Sequence, residues 1–148
     1  FGGVWTQDGN YSDLDGNRTH GGKGLYGALE LALLSASGST KLDAFVSYSV
    51  GDPTVSALLH QFLIGVRLGS FWPRRPQDSM GLMYSRIRPN GRLDPIIPEP
   101  ESTGEFYYRL RLTPWFSIQP DFQFIHHPGG QWQRRDAFVA LVRMELVF

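Results

Sequence analysis

The last thirteen residues of the chain, Asp136–Phe148, read DAFVALVRMELVF. At period two, Phe138, Ala140, Val142, Met144, Leu146 and Phe148 share one face, and Val139, Leu141, Arg143, Glu145 and Val147 share the other. The first face is wholly apolar, while the second carries an Arg and a Glu near its middle. Such alternation predicts a strand. It is long for an ordinary strand, but it suffices to cross a bilayer at a tilt, which takes about 9–11 residues. The final residue is aromatic and in phase with the apolar face, whereas the ends of soluble domains are usually frayed and polar.

The same alternation recurs upstream. Glu105–Thr113 sets Phe106, Tyr108, Leu110 and Leu112 against Glu105, Tyr107, Arg109, Arg111 and Thr113. Trp115–Ile125, Leu59–Gly69 and Lys41–Val50 alternate in the same way, and Ser79–Ile87 does so more weakly. Leu25–Leu34 contains ALELALL, which has helical propensity, but its length and missing cap favour a strand. Phe1–Thr6 is read as the end of a further strand, followed by a polar loop over Asp8–Gly22. The turn FWPRRPQD (71–78), with two prolines, cannot continue a strand, and RPNGRLDPIIPEPEST (88–103) reads as a long Pro/Gly loop. Eight strands result. If the last strand ends on the periplasmic side, the longer connections fall outside and the shorter ones inside, as in transmembrane barrels.

The chain has 14 basic and 14 acidic residues, which removes electrostatics as a reason to propose a nucleic-acid partner. Its 17 Gly, 10 Pro, 10 Phe, 6 Tyr and 4 Trp favour β structure over helix. The absence of Cys excludes disulfides and thiolate metal sites. No apolar run reaches the roughly 18 residues of a membrane helix, a fact without bearing on a barrel, whose strands are apolar on one side only. The chain opens on FGGVW, with neither Met nor signal peptide, and is expected to be the C-terminal part of a longer protein.

Several motifs dissolve on inspection. Gly22-Lys-Gly-Leu-Tyr-Gly27 is formally a dinucleotide fingerprint, but that site needs a strand before it and a helix after it. Asp13, Asp15 and Asn17 imitate the start of a calcium loop, yet Arg18 replaces the required Gly and Gly24 the bidentate Glu. His126 and His127, in an extended segment, are expected to point to opposite faces and not to chelate together. No cofactor and no catalytic motif is expected.

The run Thr113–Gly130, TPWFSIQPDFQFIHHPGG, resembles a segment of the OprB-type carbohydrate-selective porins in which TPW, QPD and PGG recur. GLYG at 24–27, VGDP at 50–53, the turn FWPRRPQDSMGLMYSRI at 71–87 and the opening GGVWTQDGNYSDL extend the likeness over nearly the whole chain. The resemblance implies an all-β, antiparallel transmembrane β-barrel of about sixteen strands in the bacterial outer membrane. Residues 1–148 would then be the C-terminal part of a single barrel domain, supplying about the last eight strands. The aromatic end likewise resembles the C-terminal signal strand of outer-membrane barrels, which implies that barrel-assembly machinery recognises the strand ending at Phe148. Outer-membrane lipid is the expected surrounding partner, and a homotrimer is a candidate assembly.

Charges inside the strands lie opposite the apolar faces: Glu30, Asp43, Arg67, Glu105, Arg109, Arg111, Asp121, Arg143 and Glu145. In a barrel they face the lumen. Four Arg against five acids make a mixed wall suited to small neutral sugars, with forked donors, carboxylate acceptors and flat aromatic faces. The candidate sugar-contacting residues are Glu105, Tyr107, Arg109, Arg111, Asp121, Arg143 and Glu145. The expected function is a porin channel passing small carbohydrates by facilitated diffusion, without turnover chemistry. The alternatives are a soluble carbohydrate-binding β-sandwich, and a membrane-barrel hydrolase needing a nucleophile and base brought together in space.

Overall fold

The structure, a computed structural model, describes residues 1–13, 16–35, 40–92 and 99–148. Eight strands follow in chain order: β1 (Gly2–Ser12), β2 (Arg18–Ser35), β3 (Lys41–Gly51), β4 (Leu58–Gly69), β5 (Ser79–Pro89), β6 (Glu101–Thr113), β7 (Phe116–His126) and β8 (Ala137–Leu146). Each pairs antiparallel with the next to make one eight-stranded sheet in the order β1 to β8. The strands β1 and β8 lie at the two ends of the sheet and do not pair with each other.

Because opposed residues share a face, the register carries the two faces across the sheet. Ala44, Val66, Leu82 and Phe106 form one row, and Phe106, Phe122 and Ala140 continue it to β8. This outward face is apolar and uncovered: Leu82 is 59% exposed, Phe138 69% and Met144 70%. Among the described residues no hydrophobic side chain is buried. A soluble domain buries its apolar faces between two packed layers, and a β-sandwich would need a second sheet over this one. A single layer with one apolar, uncovered face is the arrangement of a barrel wall in hydrocarbon.

ALELALL is a strand, paired with β3 along its length. A bulge between Ala32 and Leu34 leaves Leu33 without an opposed partner, so Leu34, not Leu33, faces Leu42. The first two strands are longer than the alternation indicates, and β5 and β6 also reach into the expected 88–103 loop, to Pro89 and from Glu101. Instead of a loop over 8–22, Asn10 pairs with His20 and Ser12 with Arg18, so the ladder reaches Ser12 and Arg18. Here the side chains on both faces are polar, so the backbone ladder continues without any apolar period to announce it. A break in register between Gln7 and Asn10, with Gly9 and Gly21 at positive φ, accommodates the longer ribbon. Beyond the ladder, the Asp13 carboxylate accepts the Asn17 backbone N–H at 2.6 Å. Asp15, of the calcium-like spacing, lies outside the described residues.

The β4–β5 turn is organised by Asp78, which is 2% exposed. Its carboxylate accepts from the Arg75 guanidinium, from Tyr108 Oη at 2.9 Å and from the Arg111 backbone N–H at 3.0 Å. Burial alone would raise its pKa, but these donors outweigh it and hold the carboxyl below the ordinary carboxylate range. At the other end of the sheet, buried Asn90 donates from Nδ2 to the carbonyls of Pro53 and Ser56, both at 2.9 Å. That residue ties the β3–β4 turn to the end of β5.

The adjacent histidines depart from the extended expectation. The strand β7 stops at His126, and His127 takes a left-handed conformation with φ 52° as the chain enters a 3-10 turn at Pro128–Gly130. The two rings therefore lie on the same side, tilted by 32° with centroids 3.8 Å apart. His126 Nδ1 is 2.8 Å from the Asp136 carboxylate, which closes the β7–β8 connection.

Candidate functional site

The polar face is built on one transverse row. Ala32, Asp43, Arg67, Gly81, Tyr107, Asp121 and Leu141 are successive partners from β2 to β8. Above and below it stand Glu105 with Gln123, and Arg109 with Gln119 and Arg143. Strands about 4.8 Å apart and rows two residues apart bring all of these within reach of long side chains.

The charges pair across strands. Arg67 Nε lies 3.2 Å from Asp43 Oδ2. Arg143 reaches diagonally to Asp121 at 3.1 Å, and Asp121 is wholly buried, so this cation is its compensating charge. Neither Asp121 oxygen accepts a well-aligned hydrogen bond from the described residues. Arg109 passes over β7 to Glu145, donating to Ser117 Oγ at 3.4 Å on the way, and Ser117 donates to Glu145 at 3.1 Å. Gln123 donates to Glu105 at 2.9 Å. The arginines remain about half exposed in these pairs, and exposed pairs contribute little stability, about 0–1 kcal/mol. What they supply is a wall of fixed donors and acceptors with almost no net field.

Six of the seven candidate residues thus come together on β6–β8: Glu105, Tyr107, Arg109, Asp121, Arg143 and Glu145. Arg111 shares their face, but its guanidinium donates to the Pro114 carbonyl at 2.8 Å, at the end of the sheet. Tyr107 lies over Gly81, where a Cβ would stand 2.4 Å from its ring. A mid-strand glycine opposite an aromatic residue is the sequence signal of this close approach. A cavity of about 450 Å³ opens beside it, lined by Glu30, Asp43, Phe45, Arg67 and Tyr107 among others. Glu30, Asp43 and Arg67 were legible as charges opposite the apolar faces, but their convergence on Tyr107 needs the register of five strands. Among the described residues no three His, Asp or Glu side chains converge to hold a metal ion. The glycines of the nucleotide-like motif lie inside β2 with no helix after them.

Residues 4–148 match the family model of the carbohydrate-selective porins, OprB family. The chain belongs to the OprB family. Its sequence is 26% identical to Porin B of Pseudomonas aeruginosa, over 95% of this chain and 37% of that protein. The fold superposes on the high-pH structure of Pseudomonas putida OprB with a TM-score of 0.90 at 18% identity, covering 98% of this chain and 43% of that one. The low-pH structure of the same protein matches with a TM-score of 0.59 at 15% identity, over 97% of this chain and 46% of that one. The chain therefore spans less than half the length of the OprB relatives it matches. Family membership places it in the bacterial outer membrane, as eight antiparallel strands of porin type.

Proposed function

We propose that this chain is the C-terminal part of one porin barrel domain and lines a channel through which small neutral carbohydrates diffuse into the periplasm. The observation that carries this reading is the pairing of two unlike faces on one ladder: an uncovered apolar outward face and a mixed-charge row with Tyr107 at its centre. A sugar entering a narrow lumen loses water on one side and needs replacement hydrogen bonds. Arg67, Arg109 and Arg143 offer donors, Asp43, Glu105 and Glu145 offer acceptors, and the Tyr107 ring offers a flat face to a pyranose. Near-equal charge of both signs disfavours neither cations nor anions, so lumen width and hydroxyl recognition set selectivity. Passage is by diffusion, with no turnover step.

In this reading the free edges of β1 and β8 pair with barrel strands lying outside this chain, because an open edge is not tolerated in hydrocarbon. Beyond β8, the Val147 N–H still bonds to the Trp115 carbonyl at 2.9 Å, and Phe148 projects beyond it as the residue offered to the assembly machinery. Assembly as a homotrimer would use the apolar outward face. The reading is tested by single-channel conductance of the reconstituted protein with and without glucose. Glucose should interrupt the current in wild type and less so in Arg109→Ala. Current insensitive to glucose in wild type overturns it.

A further inference from the structure

We propose that the outward face of β3–β5, at the end where β5 runs into the 90–100 connection, binds the phosphate of a lipid headgroup in the outer leaflet. This rests on the channel reading in taking the outward face as the lipid-facing one and the end of β8 as the periplasmic one. Arg86 and Arg88 both belong to that face and are exposed. They stand on two consecutive rungs of the ladder, Tyr48–Phe62–Arg86 and Val50–His60–Arg88, about 6.7 Å apart along the strand.

Three strand arginines behave differently, and the guanidinium of a fourth, Arg111, donates to the Pro114 carbonyl. Arg67, Arg109 and Arg143 point to the polar face and each has a carboxylate partner. Among the described residues neither Arg86 nor Arg88 has an ion-pair partner. Two unpaired guanidinium groups on the apolar side are costly at mid-bilayer but nearly free at its edge. A cavity of about 370 Å³ lies between them, lined by Tyr48, His60, Phe62, Arg86, Arg88 and Pro100. The Tyr48 hydroxyl and His60 Nδ1 are 2.8 Å apart, which fixes both rings as one wall of the cavity.

The surroundings select an amphiphile over a free anion. Directly below the two rungs come Val46–Ile64–Tyr84 and then Ala44–Val66–Leu82–Phe106, a largely apolar strip in which Ile64, Val66, Leu82, Tyr84 and Phe106 are exposed. A phosphate held by the arginine forks would therefore direct its acyl chains down this strip. Both parts of the site match one molecule, a phosphorylated lipid.

The test uses the detergent-purified protein and native mass spectrometry with three probes: lipopolysaccharide lipid anchor, its dephosphorylated form, and inorganic phosphate. The phosphorylated anchor should be retained, and the other two should not. Arg86→Gln or Arg88→Gln should each weaken retention roughly 5-fold, and the double variant roughly 25-fold. The pair Arg134→Gln and Arg135→Gln, which removes the same charge from the exposed β7–β8 connection, should change it little. Equal retention of the dephosphorylated anchor, equal binding of inorganic phosphate, or equal loss in the Arg134/Arg135 variant each overturns the proposal. Glucose block, measured on the same preparations, tests the channel reading separately and should be unchanged in the Arg86/Arg88 variant.

Discussion

Phe106 and Tyr107 are neighbours on β6 and lie in opposite worlds. Phe106 sits in a row with Leu82 and Phe122, 40% exposed, and takes no polar partner. Tyr107 lies in a row with Arg67, Gly81 and Asp121, half-buried across the glycine beside it. Both faces hang on the same backbone hydrogen bonds, so the ladder alone distinguishes neither. The outward face is held by what surrounds it, and the inward face by what it carries. Changes on the two sides should therefore appear in different measurements, assembly on one and transport on the other.

The largest effect is expected from placing charge on the outward face. Leu110→Arg and Phe122→Arg should each destabilise the assembled protein by about 2–4 kcal/mol, read as loss of heat-resistant folded protein on gels. Their neighbours Arg111→Ala and Gln123→Ala should leave folding largely intact. If the neighbours prove more damaging, the two faces are inverted.

A second break point lies at the end of the sheet, where Asp78 joins three donors. Asp78→Ala should cost about 1.5–3 kcal/mol, the range for hydrogen bonds to a charged group, measured by denaturant unfolding in detergent. The pH dependence follows from the depressed pKa. A carboxyl held below its unfolded value of about 3.9 contributes fully above that value. It loses the contribution as pH falls through the folded pKa. Wild type should thus lose stability on acidification below the usual carboxylate range, and Asp78→Ala should lose less over the same interval. Parallel curves would remove Asp78 as the cause.

Strand placement was legible wherever one face meets an apolar medium and the other a polar one, because only then does period two appear in the side chains. That holds for β3, β4, β7 and β8, which end within about two residues of the alternation. It fails for the outer halves of β1 and β2, where both faces are polar and pairing leaves no mark on residue type. It fails too at His126 and His127, because a single positive φ at His127 cancels the extended geometry on which opposite faces depend. The inward charges were legible as a set, but not their partners. Arg109 skips a strand to reach Glu145, while Arg111 turns to a backbone carbonyl. Long side chains choose among partners that only the register brings near.

Smaller effects sharpen the inward side. Arg109→Ala should weaken glucose dwell by roughly 0.5–1.5 kcal/mol, the net value of one hydrogen bond, and shift ion selectivity toward cations. A shift in selectivity without any change in glucose block would leave Arg109 setting only the field. Gly81→Ala should act less strongly still. Its methyl meets the far end of the Tyr107 ring, which can swing aside, so stability should hold while glucose dwell shortens. A loss of folded protein there would mean that the ring is fixed and the glycine is structural.

The two-face account is tested most directly by single-cysteine labelling, since this chain has no Cys to interfere. Phe106→Cys, Tyr107→Cys, Phe122→Cys and Gln123→Cys, each reconstituted in vesicles, would be exposed to a membrane-impermeant maleimide with and without glucose. Tyr107→Cys and Gln123→Cys should react, more slowly when glucose is present, while Phe106→Cys and Phe122→Cys should not react at all. Labelling of the phenylalanine positions, or of all four alike, would contradict the account.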